Sequence, residues 1–213
     1  KYLAQNKKLY VAFIDFKKAF DFISHAKLWP ILLKHGLNGR IFYAIQSMYQ
    51  IVKSCVRCGN GEGLTDFLFC QKGLKQGEIT SPLLFSLFIN ELAVDVMNNG
   101  KHGAQMIPGL YELIILLFAD DVALISFTPV GLQHQLNLLA ENADKLDLTV
   151  NLEKSSIVIF RKGGYIASRE RWFYKTEAIK IINAYNYLGI WFSTRLSFSH
   201  SLNKQTAKGK AGV

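Results

Sequence analysis

Two of the most apolar stretches in this 213-residue sequence carry carboxylates where a buried strand tolerates them least. Leu9–Asp15 (LYVAFID) is a continuous apolar run that ends in an acid. Leu113–Phe127 is a longer one, interrupted by Asp120 and Asp121. An ionised carboxylate is costly to bury unless a cation or hydrogen bonds compensate it. Two core strands that each deliver acids therefore call for one explanation. If the strands are neighbours, Asp15, Asp120 and Asp121 are placed to share oxygen-seeking cations such as Mg²⁺. Two such ions about 3.5–4 Å apart would serve an in-line displacement at phosphorus. Successive strand residues point to opposite faces, so Asp15 and Asp120 are the expected principal ligands, with Asp121 in support. The competing reading is ordinary turn chemistry for an Asp-Asp pair.

The remaining sequence sets the frame. Half the residues are apolar, enough for a sizeable core. The 25 Lys and Arg exceed the 16 Asp and Glu by nine, which favours a polyanionic partner. The same two acids rule out a transmembrane reading of Leu113–Phe127, because each costs about 2.5–3.5 kcal/mol at a bilayer centre. Three cysteines, Cys55, Cys58 and Cys70, are too few for a disulfide framework. Cys55 and Cys58, expected on one strand, would face opposite ways rather than share a zinc ion. The five histidines (His25, His35, His102, His134, His200) lack metal-ligand spacing. The chain opens at Lys1 and ends in a basic stretch, so it is expected to be an internal part of a longer polypeptide.

Local patterns predict helices over His25–Lys34 (capped by Ser24), Asn38–Tyr49, Ser81–Met97 and Leu132–Leu146. Ser81-Pro82 marks the third start, with Pro at a first-turn position. Strands are expected at Leu9–Asp15, Ile51–Cys58, Asp66–Cys70, Ser156–Phe160, Ile179–Ile182 and Tyr187–Phe192. Gly59-Asn60-Gly61 signals a hairpin, and Leu113–Leu117 with Val122–Phe127 a second, turning at the aspartates. Helices mixed with antiparallel strands give an α+β class.

The order of the motifs sharpens the function. Ala12–Asp21 (AFIDFKKAFD) resembles the first palm motif of reverse transcriptases. Gly73–Gly77 (GLKQG) with Ser81–Phe85 (SPLLF) is similar to the second, and Phe118–Asp121 (FADD) to the third. Leu148–Ser155 (LTVNLEKS) resembles the fourth and Tyr187–Gly189 (YLG) the fifth. The AFD and FADD forms are most similar to enzymes of non-LTR (LINE-type) retrotransposons. The departures are Glu78-Ile79-Thr80, where relatives often carry Cys-Pro-Leu, and Ser155, where Thr is common.

The resemblance implies a polymerase palm, an antiparallel sheet backed by helices, over residues 1–193, with incomplete fingers and thumb. A thumb or connection would begin within 194–213. It implies RNA-directed DNA synthesis with two Mg²⁺ ions (Mn²⁺ as substitute) held by Asp15, Asp120 and Asp121. Phe20 would exclude the 2′-hydroxyl of an incoming ribonucleotide. Gln76 and Gly77 would line the nucleotide and template, and Lys154 would meet phosphate or the leaving group. Tyr187, Leu188 and Gly189 would grip the primer. Implied partners are an RNA template, a DNA primer, dNTPs and the rest of a polyprotein, in the nucleus, with no membrane. Asp21 is read as a turn cap, and Lys17 and Lys18 as solvated or phosphate-facing. Two alternatives stay open: a mobile-intron reverse transcriptase, and an inactive nucleic-acid-binding remnant of a decayed element. The isolated chain is expected to be inactive, because basic fingers contacts lie outside it.

Overall fold

The computed structural model describes residues 2–57, 59, 63–107, 111–164, 166–167 and 170–197. The chain divides into two compact units. One comprises residues 1–17, 92–144 and 149–213, the other 18–91 and 145–148. Elements run in the order β1 (Leu9–Ile14), α1 (His25–Lys34), α2 (Gly39–Gln50), β2 (Lys53–Ser54), β3 (Leu68–Phe69) and α3 (Ser81–Asn99). There follow β4 (Ala104–Ile107), β5 (Tyr111–Leu113), β6 (Ile115–Phe118), β7 (Asp121–Ser126), α4 (Pro129–Lys145) and β8 (Ser156–Phe160). The last are β9 (Phe173–Tyr174), β10 (Glu177–Ala178), β11 (Ile181–Ile182), β12 (Ala184–Tyr187) and β13 (Ile190–Ser193).

The first unit is built on a five-stranded sheet of order β11-β8-β1-β7-β6. β1 lies between β8 and β7, antiparallel to both, and β11 joins β8 in parallel as an edge strand. That central place explains the unbroken apolar run of β1, which is buried on both faces rather than alternating. One face carries Val11, Phe13, Ala123, Ile125, Val158 and Phe160, with Ala104 packed among them and Tyr185, Tyr187 and Phe192 against them. On the other face the Tyr10 ring meets Trp172 at 5.4 Å, and the Trp172 indole N–H donates to the Pro129 carbonyl at the start of α4. Glu170 is buried beside Tyr10, accepting from its hydroxyl at 2.9 Å and from the Lys8 ammonium at 2.7 Å.

In the second unit, His25, Trp29, Phe42 and Tyr49 of α1 and α2 form an aromatic cluster with centroids 5.1–6.1 Å apart. Phe85 and Phe88 of α3 are fully buried.

The four expected helices form. Ser24 makes no side-chain cap bond, although α1 begins at the next residue. The strand foreseen over Ile51–Cys58 shrinks to Lys53–Ser54, and that over Asp66–Cys70 to Leu68–Phe69. These pair only with each other and stay exposed, so no packed face extends them. Cys58 and most of the Gly59-Asn60-Gly61 turn lie outside the described residues. Cys55 and Cys70 are free thiols. The strand expected across Tyr187–Phe192 is two strands: Leu188 and Gly189, at φ +51° and +82°, turn the chain between β12 and β13. Positive φ at both positions is the signature of a type I′ hairpin turn. Two hairpins went unforeseen, β4–β5 and β9–β10. Among the described residues no helix is long and apolar enough to cross a membrane.

Candidate active site

The acids gather at one end of the central strands. β1 pairs with β7 in a register that ends at Ile14 opposite Val122. One further step sets Asp15 against Asp121. Directly opposed residues of an antiparallel pair share a face, so these two carboxylates lie on the side of Phe13 and Ala123. β6 and β7 form a hairpin closing at Phe118–Asp121, which leaves Ala119 and Asp120 as its two-residue turn. Ala119 sits at φ +51°, a left-handed conformation that costs a non-glycine residue about 1–3 kcal/mol. Continued by that step, the register lays Asp15 at the same end of the sheet as Asp121, with Asp120 beside it in the turn. All three acids are half-buried.

Asp15 is held from β8's side. The Asn151 amide donates to its carboxylate at 3.1 Å, and the Asn151 backbone N–H donates to its carbonyl at 2.7 Å. The Asp15 N–H donates to the buried Ser155 hydroxyl at 3.1 Å, which in turn donates to the Asn151 carbonyl. Asn151 and Ser155 belong to the LTVNLEKS segment beside Lys154, and neither was among the expected site residues. Their signal was an Asn and a Ser four apart, flanking a strand that neighbours β1. Lys154 itself is exposed and is not brought to the acids by any ion pair among the described residues.

Electrostatically the cluster is uncompensated. None of Asp15, Asp120 and Asp121 has a basic partner within ion-pair distance among the described residues. Burial, with the charges of Asp120 and then Asp15 adding to it, raises the Asp121 pKa. The same field reaches the hairpin above. Burial, then Asp121 and Asp15, pushes the Tyr185 hydroxyl up, and burial with Asp121 does so for Tyr187. Tyr185 stacks flat on Phe13 at 4.4 Å, and Tyr187 tilts against it at 5.3 Å. The β12–β13 hairpin carrying Tyr187-Leu188-Gly189 is therefore seated on the face that bears Asp15 and Asp121.

Hard carboxylate oxygens without a counter-charge fit a divalent cation such as Mg²⁺ or Mn²⁺. The expected three-ligand cage is not preformed: among the described residues no group of three or more His, Cys, Asp or Glu side chains stands ready to hold a metal.

In the second unit Phe20, Lys75, Gln76, Gly77, Glu78, Ser81 and Pro82 line a cleft of about 480 Å³. The Phe20 ring stacks on the buried Phe85 ring at 4.2 Å, nearly parallel. Lys17 and Lys18 are exposed. Asp21 does not act as a simple cap, since its carboxylate accepts from the Gln76 amide at 3.0 Å. The described histidines serve structure: His25 bonds the Gly73 carbonyl, His35 meets Glu91, His134 bonds the Asn99 carbonyl and His102 packs on Phe127. His200 lies outside the described residues.

A mixed sheet whose central antiparallel strands end in carboxylates, backed by helices, is the architecture of a polymerase palm. The sequence model of the family "Reverse transcriptase (RNA-dependent DNA polymerase)" matches residues 1–192, and the chain belongs to that family. Family members generally use divalent metal ions. Its relatives match a LINE-type domain. The chain is 28% identical to a retrovirus-related Pol polyprotein from a type-1 retrotransposable element R2 of Popillia japonica, over 89% of this chain and 32% of that protein. It is 26% identical to the RNA-directed DNA polymerase from mobile element jockey of Drosophila melanogaster, over 95% and 22%. The chain thus spans a third or less of the length of these relatives. Among solved structures, apo telomerase of Candida tropicalis, truncated from its C-terminal domain, superposes with a TM-score of 0.60 at 16% identity, covering 92% of this chain and 36% of that one. Telomerase of Candida albicans in complex with the TWJ fragment of telomeric RNA gives 0.61 at 14%, over 90% and 31%. At these identities the likeness establishes the fold.

Proposed function

We propose that this chain is the palm of a non-LTR retrotransposon reverse transcriptase, and that it supplies the acids for RNA-directed DNA synthesis. The observation that carries this reading is Asp15 at the end of β1 beside Asp120 and Asp121 at the β6–β7 turn, with no basic side chain among the described residues within ion-pair distance of them. Asp15, Asp120 and Asp121 would hold two Mg²⁺ ions, whose chemistry is to favour ionisation of a primer 3′-hydroxyl and offset charge on leaving pyrophosphate. Asn151 and Ser155 fix Asp15 for that task. The Tyr187-Leu188-Gly189 hairpin, anchored through Phe13, holds the primer end over the acids' face. Phe20, backed by Phe85, excludes a 2′-hydroxyl. Gln76 and Gly77 take the nucleotide and template, and Lys154 contacts phosphate. Relatives that are RNA-directed DNA polymerases and a neighbour solved with telomeric RNA support an RNA template; a DNA primer and dNTPs are the substrates proposed with it. The polyprotein relatives support a longer parent polypeptide; its work in the nucleus and a thumb beginning after residue 193 belong to the same proposal.

The test is primer extension on an RNA template with dNTPs and Mg²⁺, using the full polypeptide that carries this chain, beside Asp120→Asn. Extension that the variant loses supports the assignment. Folded protein that binds RNA, with a salt-dependent affinity, yet extends nothing would leave the inactive remnant as the better description.

A further inference from the structure

The Gln76 side chain is exposed on a loop, yet one face of its amide is already committed. Its Nε2 donates to Asp21 Oδ1 at 3.0 Å, across 55 residues of sequence. We infer that Asp21 is a positioning residue for nucleotide selection, one that acts through Gln76 by fixing which way its amide points. This inference rests on the reverse transcriptase reading above and deepens it.

The backbone around this contact is fastened at several points. Gly73 N–H donates to the Ile23 carbonyl at 2.8 Å, and Leu74 N–H to the Phe20 carbonyl at 2.8 Å. The Gly73 carbonyl meets the His25 ring at 2.8 Å. Gly73 sits at φ +92°, and a Cβ there would lie 2.8 Å from the Asp21 carbonyl oxygen. Only glycine allows the two segments to approach so closely. Asp21 is set from its own side by a turn in which its N–H donates to the Lys18 carbonyl at 2.9 Å. The start of the GLKQG loop is thus laid along the Phe20–Ile23 turn, and the Asp21–Gln76 bond carries that docking on to the side chain lining the cleft.

An ionised carboxylate only accepts hydrogen bonds, whereas an amide both donates and accepts. Asp21 therefore admits a single orientation of the Gln76 amide, with NH₂ towards itself. Oε1 and the second N–H remain for a ligand. In a cleft shared with Phe20 and Gly77, that suits a nucleotide offering one donor and one acceptor. Without Asp21 the amide flips freely, and half of its orientations present the wrong pattern.

The experiment is steady-state primer extension with the full polypeptide, measuring KM for dNTP, kcat and misincorporation. The variants are Asp21→Ala, Asp21→Asn, Gln76→Ala and the double variant Asp21→Ala/Gln76→Ala. Asp21→Ala should raise KM for dNTP about twofold, as expected when half of the Gln76 orientations are no longer competent, and raise misincorporation, with kcat little changed. Asp21→Asn, whose amide donates as well as accepts, admits both orientations of Gln76 and should lose about as much selectivity as Asp21→Ala. In the Gln76→Ala background, Asp21→Ala should add nothing. Additive losses, or a loss in kcat alone with a lowered melting temperature, would show a structural Asp21 and overturn the inference. So would a silent Asp21→Ala. If the unsubstituted polypeptide does not extend a primer, the polymerase reading fails and this inference with it. If it extends normally, only the role of Asp21 is at stake.

Discussion

Asn151 clasps Asp15 twice, through its side-chain amide to the carboxylate at 3.1 Å and through its backbone N–H to the carbonyl at 2.7 Å. The backbone bond survives any substitution at 151, so the side chain's contribution can be isolated. Asn151→Ala frees the Asp15 carboxylate to rotate and should lower primer-extension kcat about ten- to a hundredfold, the usual cost of losing a group that orients a ligand. Asn151→Asp, which sets a further negative charge against Asp15, should cost at least as much and raise the Mg²⁺ concentration required for half-maximal rate. Unchanged kcat in Asn151→Ala would mean that Ser155 and the backbone suffice.

Asp121 carries the electrostatic strain of the site, and its sign is testable without activity. Burial and the charges of Asp120 and Asp15 raise its folded-state pKa. The folded protein therefore binds the proton more tightly than the unfolded chain, whose Asp titrates at about 3.9. Stability must fall as pH rises from that value through the folded pKa, and stay reduced at neutrality. Asp121→Asn should be more stable than the unsubstituted protein at pH 7 by about 0.5–2 kcal/mol and melt at a correspondingly higher temperature. The advantage should shrink as pH drops into the ordinary carboxylate range. Millimolar Mg²⁺ should close part of the gap by stabilising the unsubstituted protein more than the variant. A variant less stable at pH 7 would show that Asp121 has a counter-charge that the cluster hides.

What the sequence revealed, and what it hid, follows from where the information resides. β1 was legible because an apolar run with no alternation has one common meaning, a strand buried on both faces. The acids were legible because they violate that run. The register that lays β1 against β7 was not, because register is set by both strands and the turn together. Asn151 and Ser155 were overlooked because an Asn and a Ser beside a Lys read as solvated surface until β8 is placed next to β1. Tyr187–Phe192 reads as one strand because Tyr187, Ile190, Trp191 and Phe192 all favour strands. The interruption lies at Leu188-Gly189: Gly189 is a local break signal, while Leu188 at positive φ takes a conformation that its side chain disfavours.

Phe20 and Phe85 stack at 4.2 Å, which makes the wall expected to exclude a 2′-hydroxyl a two-ring structure. Phe20→Val should increase the use of ribonucleotides relative to deoxynucleotides about ten- to two-hundredfold, the range over which a pocket discriminates one small group. Phe85→Leu keeps apolar bulk in the buried position and removes the stack, worth about 0.5–1.5 kcal/mol. It should relax discrimination by less than Phe20→Val does, with kcat for dNTPs largely retained. Comparison of single-nucleotide incorporation of dNTP and rNTP at matched template positions measures both. Full discrimination in Phe20→Val would remove Phe20 from the selecting wall.

Glu170 sets the acid limb of stability. It is only 5% exposed, and burial alone would raise its pKa. The Lys8 ammonium, the Ala167 N–H and the Tyr10 hydroxyl outweigh burial and hold it below the usual Glu value. A depressed carboxylate pKa contributes stability above the unfolded value, about 4.3 for Glu, and loses it as pH falls through the folded pKa. Glu170→Gln keeps the shape, removes the charge and leaves Lys8 without its partner. At pH 7 it should cost about 1.5–3 kcal/mol, the range for hydrogen bonds to a charged group. That corresponds to roughly 2–4 °C of melting temperature for each kcal/mol in a chain of this size. The deficit should narrow steadily as pH falls below the Glu range, because the unsubstituted protein loses there what the variant never had. Lys8→Met should cost less than Glu170→Gln, since Lys8 remains 34% exposed and screened by solvent. A deficit independent of pH would mean that Glu170 stabilises by packing and neutral hydrogen bonds alone, and that its charge is incidental.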